Sequence, residues 1–263
     1  MNTKIFDTHA HYDDERFEDD RESLLTEMFQ GPICNVVNVG ANLASSRNSI
    51  ELSKQYDPVY AAVGVHPEDA GEIDDEALTW LEQVSSQKKV VAIGEIGLDY
   101  YYMDHDKKTQ ADAFQKQLKL ARKVNLPIIV HSRDACEDTL NIIKENDAST
   151  PFDPNSIPGV IHCFSYSAEI ALTYVKMGYY IGIGGVVTFA NSKKLKEVVK
   201  SVPLSHIVLE TDCPYLAPVP NRGKRNSSLN LPYVVEEVSR LTGITPDEVI
   251  RTTTQNARKL YRL

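Results

Sequence analysis

Five of the seven histidines close apolar runs, and these imidazoles, with a few carboxylates, are where chemistry would concentrate. They are His9 and His11 in KIFDTHAH, His66 in AAVGVHP, His131 in PIIVHS and His162 in GVIHCF. Glu95 in VVAIGEIGLD and Asp212 in IVLETDCP close two further runs. Imidazole nitrogen and carboxylate oxygen are donors that divalent metals prefer. If each run is a strand of one sheet, such groups gather at a common rim, and a metal-activated water there becomes a hydrolytic nucleophile.

His9 and His11 stand two apart on a strand, so both face one way, and Asp7 shares that face. An HxH pair alone arises often by chance. Its weight comes from the other strands, because a satisfied polar pair at one strand end would not explain five. Glu95 lies between Gly94 and Gly97, whose small size leaves room for an ion, and a carboxylate can bridge two metals. The alternative is a salt-bridged glutamate, although GLDYYY supplies no basic neighbour. His131 and His162 occupy the last inward positions of their strands. Either alone reads as a core histidine; together they supply nitrogens for a second metal. Glu210 and Asp212 are again two apart, with Thr211 and Cys213 expected to point toward the helices. Asp212 is placed to ligate and to orient the attacking water, while Glu210 either shares in catalysis or holds a ligand from behind. His66 precedes Pro67 and Glu68 and is expected to serve substrate or carry a proton; a helix-start histidine held by Glu68 is the competing reading. His105 and His206 receive no role. Cys163 and Cys213 are expected to pack rather than to attack.

The elements that must position these residues follow from alternation. Short apolar runs read as eight strands, over 4–10, 34–40, 59–65, 90–96, 127–131, 159–163, 179–184 and 207–211. Amphipathic runs read as helices over 14–29, 43–56, 74–86, 107–124, 133–145, 167–177, 191–200 and 229–241, with a last one over 246–261. Eight βα pairs in 263 residues have the length and pattern of a (β/α)₈ TIM barrel, an α/β fold in a single domain spanning 1–263. Thr245-Pro246-Asp247-Glu248 predicts an N-cap, and Asp74 and Asn191 are candidate caps. The irregular stretch from Cys213 to Ser228 follows the last strand, where barrel loops carry function.

The formal net charge of −9 argues against a general polyanion-coating surface. It leaves phosphoester chemistry open, since bound cations reverse the local sign. No apolar run reaches membrane-spanning length, the N-terminus enters a strand at once, and the four cysteines form no CxxC pair. A soluble cytoplasmic protein with reduced thiols, no membrane association and no obligate protein partner is expected.

The segments FDTHAHYDD at 6–14, VGVHPED at 63–69, IGEIGLDYY at 93–101, PIIVHSRDA at 127–135, VIHCFS at 160–165 and LETDCPYLAP at 209–218 resemble, in order, the TatD family of metal-dependent hydrolases among the amidohydrolase-like barrels. The resemblance covers practically the whole chain. It implies a barrel holding up to two divalent ions, with His9, His11, Glu95 and Asp212 on one and Glu95, His131 and His162 on the other; imidazole–carboxylate donors accept Zn²⁺, Mg²⁺, Mn²⁺ or Fe²⁺ with modest preference. It also implies hydrolysis of DNA phosphodiesters in the manner of a 3′–5′ exonuclease, single-stranded DNA being the expected substrate. After Arg222-Gly223-Lys224-Arg225-Asn226 the family usually continues Asn-Glu-Pro, whereas this chain reads NSSLNLPY. Arg133 and Arg222, with Lys224 and Arg225, are candidate phosphate contacts, and Tyr100, Tyr101 and Tyr102 candidate stacking rings. Two other readings compete: a hydrolase of ester or amide bonds, such as aminoacyl-tRNA deacylation, and a barrel scaffold without turnover. Glu95, in place of the carboxylated lysine of many related barrels, disfavours the first, and the complete ligand set disfavours the second.

Overall fold

The computed structural model describes residues 4–149 and 156–263. Eight strands follow chain order across one sheet: β1 (Ile5–Ala10), β2 (Ile33–Val39), β3 (Val59–Val63), β4 (Val90–Asp99), β5 (Ile128–Arg133), β6 (Gly159–Ile161), β7 (Tyr180–Ile183) and β8 (Ile207–Leu209). Their residues are almost all buried on both faces, as a parallel sheet covered by helices demands. Helices α1 (Arg21–Gln30), α2 (Leu43–Gln55), α3 (Asp75–Val84), α4 (Lys107–Val124), α5 (Cys136–Ser149), α6 (Ala168–Lys176), α7 (Lys193–Ser201) and α8 (Leu231–Thr242) follow successive strands, and α9 (Pro246–Tyr261) ends the chain. This is the (β/α)₈ barrel that the alternation predicts.

The described chain divides into two compact units, residues 4–38 with 162–263, and residues 39–149 with 156–161. In the first, β8 returns to β1: the Asp212 amide donates to the His9 carbonyl at 2.9 Å, the His11 amide to the Cys213 carbonyl at 2.8 Å, and Ala10 bridges Cys213. In the second, β4 and β5 run in register with Gly97 opposite His131 and Asp99 opposite Arg133. Gly97 has φ +147°, and a Cβ there would lie 1.9 Å from the His131 carbonyl oxygen. A Cβ on Gly94 would lie 2.6 Å from that of Ile129. These two glycines therefore let β4 lie close against β5.

Helix boundaries follow local chemistry. Thr245 caps α9 by accepting from the Glu248 amide, and Asp74 caps α3 through Ala77. The expected Asn191 cap is instead Ser192, whose hydroxyl donates to the Val187 and Phe189 carbonyls. The run over 14–29 is a 3₁₀ turn at Glu15–Phe17 followed by α1, because Asp14 turns its carboxylate onto the Arg16 amide. Among the described residues no helix is long and apolar enough to cross a membrane.

Candidate metal centre

In the first unit the structure gathers His9, His11 and Asp212, whose ligand atoms all lie within 4.8 Å of one another. The Nε2 atoms of His9 and His11 face each other at 3.1 Å, and the Oδ1 of Asp212 lies 3.7 Å and 3.4 Å from them. Three donors converging on one point fit a divalent cation. Ligands bonded at about 2.0–2.1 Å to a tetrahedral ion stand roughly 3.3 Å apart, which is the spacing seen. Asp212 reaches this position with φ 56°, a left-handed turn that aspartate tolerates better than most residues. Burial opposes its charge, but the hydrogen bond from His11 and the imidazoles of His162, His9 and His11 outweigh it and hold the carboxyl below the ordinary range.

His162 stacks on His9, with ring centroids 3.9 Å apart and planes at 13°. Behind it, Glu210 places Oε1 3.7 Å from His162 Nδ1 and accepts from the Cys163 amide. Glu210 is buried, and burial pushes its carboxyl up to about 7. It faces a ring and a backbone amide, the arrangement of a group that holds another group in place.

Strict strand alternation fails from Glu210 onward, because β8 ends at Leu209. Thr211, expected to point at the helices, donates its hydroxyl to Asp7 Oδ2 at 2.7 Å. The same oxygen accepts from Ser228 Oγ at 2.6 Å, and Ser228 Oγ lies 2.8 Å from the Tyr12 hydroxyl. Asp7 thus ties β1 to the long final loop, and burial raises its carboxyl to about 6 despite those hydrogen bonds. The stretch NSSLNLPY has this structural duty: Asn226 and Ser228 are buried, and Asn226 Nδ2 donates to the Thr211 carbonyl at 3.0 Å.

The second unit gathers His66, Asp99 and His131, again within 4.8 Å. His131 sits between carboxylates, with Nδ1 2.8 Å from Glu95 Oε1 and Nε2 2.9 Å from Asp99 Oδ2. Both partners only accept, so without a cation each ring nitrogen carries a proton. Burial disfavours that charge, but the hydrogen bonds to Asp99 and Glu95 prevail and raise His131 to about 9. A divalent ion can take the place of the Nδ1 proton. His66 Nδ1 accepts from the Glu68 amide at 3.2 Å, the helix-start contact, while its Nε2 stands 3.8 Å from Glu95 Oε1.

Asp99 is the residue that the sequence reading passed over. Its Oδ1 accepts from the amides of Tyr101 and Tyr102 at 2.8 Å and 3.0 Å, and Gln110 brackets its backbone on both sides. The signal was present: Glu95, Gly97 and Asp99 are two apart and share a face.

Arg133 follows His131 by two positions on β5. Its guanidinium carbon lies 3.9 Å over the Tyr101 ring and 4.8 Å over that of Tyr102, both exposed rings. Tyr100 is engaged elsewhere, donating to Asp138 Oδ2 at 2.7 Å. Arg222 lies 4.3 Å over Phe189. Arg225 is tied to Asp20 and the Arg16 carbonyl in an exposed pair. None of the four cysteines is in a disulfide, and burial raises the Cys213 thiol to about 12, so it is no nucleophile at neutral pH.

The fold and these imidazole–carboxylate groups define a metal-dependent hydrolase built on a (β/α)₈ barrel. The family model described as "TatD related DNase" matches residues 6–262, and the chain belongs to that family. It is 42% identical over 259 residues to YabD of Bacillus subtilis, an uncharacterized metal-dependent hydrolase, covering 98% of this chain and 99% of that one. It is 34% identical over 265 residues to YcfH of Escherichia coli, similarly described, covering 98% and 96%. The crystal structure of YjjV, a TatD homologue from Escherichia coli, superposes with a TM-score of 0.91 at 31% identity over the whole of both chains.

Proposed function

We propose that the protein hydrolyses phosphodiester bonds of single-stranded DNA from the 3′ end, using two divalent ions, Zn²⁺, Mg²⁺ or Mn²⁺, held by His9, His11, Glu95, His131, His162 and Asp212. When bound, such ions activate water and neutralise charge on phosphate oxygens. The observation that carries the reading is the convergence of His9, His11 and Asp212 at 3.1–3.7 Å, a donor set suited to a divalent cation. The substrate class rests on the family's description as DNase-related and on the Arg133–Tyr101–Tyr102 stack, which offers a guanidinium for phosphate beside exposed rings for bases.

In this reading Asp212 orients the attacking water and accepts its proton. Glu210 keeps His162 in place, and His66 presents Nε2 to the leaving oxygen with its tautomer fixed by the Glu68 amide. Arg222, stacked on Phe189, meets a second phosphate. Hydrolysis of an acyl ester, as in aminoacyl-tRNA, is the competing chemistry. The deciding experiment incubates the Mn²⁺- or Mg²⁺-loaded protein separately with 5′-labelled single-stranded DNA, bis(p-nitrophenyl) phosphate and an acyl ester. Stepwise shortening of the DNA is expected; turnover of the ester with both phosphodiesters untouched would refute the reading.

A further inference from the structure

Within the first unit a cavity of about 600 Å³ lies beside Asp212. Phe164, Val186, Phe189, Leu195 and Leu216 form its apolar walls, and Asp212 stands in its lining. Two of the segments that carry these walls are held against each other by the fold. A Cβ on Gly185 would lie 2.2 Å from the Leu216 carbonyl oxygen, so the segments after β7 and β8 touch backbone to backbone. The Val219 amide donates to Thr188 Oγ1 at 2.9 Å and pins the same two segments.

We infer that this cavity receives the nucleobase of the terminal nucleotide, so that the base is gripped while its phosphodiester lies at Asp212. The inference rests on the proposed action on DNA and adds how the chain end is held. A phosphate buried against the apolar walls would lose water without gaining partners there. A planar base is the part of a nucleotide that gains from such surroundings, and the volume admits one with room for its sugar. Phe189 supplies a ring for stacking. Arg222, 4.3 Å over that ring, and Lys193 and Lys194 in the lining bring positive charge where the attached phosphates must pass.

The test uses two single-stranded oligonucleotides that differ only in the 3′-terminal residue, thymidine in one and a reduced abasic sugar in the other, with the metal-loaded full-length protein. The base-bearing end is expected to be removed about tenfold faster, the scale of one base stacked on an aromatic ring. Phe189→Ala and Leu195→Trp should bring the ratio toward one. Equal wild-type rates, with both DNAs shortened, would overturn the base-pocket inference while leaving DNA hydrolysis standing. Failure to cut either DNA, with turnover of an acyl ester, would overturn both. The wild-type comparison decides even if a variant does not fold.

Discussion

Asp99 backs His131 on the side opposite Glu95: its Oδ2 lies 2.9 Å from Nε2, while Nδ1 meets the Glu95 carboxylate at 2.8 Å. A carboxylate behind an imidazole fixes its orientation and tautomer and makes its other nitrogen a better metal ligand. Asp99 is itself held by the amides of Tyr101 and Tyr102, so it cannot swing away without breaking those bonds.

Asp99→Asn keeps the shape and removes the charge. Affinity for Mn²⁺ or Zn²⁺, titrated into the metal-free protein, should fall about 10- to 100-fold, the usual effect of losing such a partner. Unchanged affinity would mean that Asp99 serves the β4–α4 connection alone.

The same pair makes the metal-free and metal-loaded proteins respond oppositely to pH. His131 is raised from 6.5 to about 9 in the folded protein, so its contribution to stability is complete below 6.5 and is lost as pH rises through 9. Asp99 is lowered from 3.8 to about 2: burial resists its charge, but the His131 hydrogen bond and the two tyrosine amides win. Its contribution holds above 3.8 and is lost as pH falls toward 2. The urea midpoint of the metal-free protein should therefore drop between pH 6.5 and 9, while metal affinity climbs over the same interval because the Nδ1 proton no longer competes. A flat midpoint together with a flat affinity would contradict the imidazolium assignment.

The parts of this site legible in the sequence were those encoded by short periods. Alternation placed eight strands within a few residues, and the His9–His11 spacing gave a converging pair. What alternation could not supply was partners distant along the chain. Asp99 looked like loop because GLDYYY lacks an apolar pattern, yet pairing with β5 carries β4 through it. The carboxylate that pairs with Arg225, Asp20, lies far back in the sequence and could not be foreseen from the loop itself. Ser228 looked like part of a substrate loop, and its partner is Asp7.

That last contact makes a stability prediction. Ser228→Ala leaves the buried Asp7 Oδ2 with the Thr211 hydroxyl alone and takes a partner from Tyr12. Loss of about 1–3 kcal/mol is expected from urea unfolding, the range for under-satisfying a buried polar group. A variant as stable as the parent would show that water replaces the hydroxyl.

Asp212→Asn keeps an oxygen to ligate and loses the capacity to take a proton. With saturating Mn²⁺ or Mg²⁺ and single-stranded DNA, turnover should fall about 10²- to 10⁴-fold, the range for a general base. Undiminished turnover would remove Asp212 from the reaction and leave it a ligand only.

Gly182 gives a way to ask whether Glu210 acts through its position. A methyl at residue 182 would lie 2.4 Å from Glu210 Oε2 and 2.8 Å from Oε1, so Gly182→Ala must push the carboxylate off its place against the Cys163 amide and His162. Activity should fall about 10- to 100-fold, as when a group supporting a ligand is lost. Glu210→Ala should cost a similar amount. If both act through the same carboxylate, Gly182→Ala placed on top of Glu210→Ala should add almost nothing, because the methyl then enters the space the side chain has left. Additive losses would show instead that Gly182 matters to β7 itself, and that Glu210 is not what the methyl disturbs.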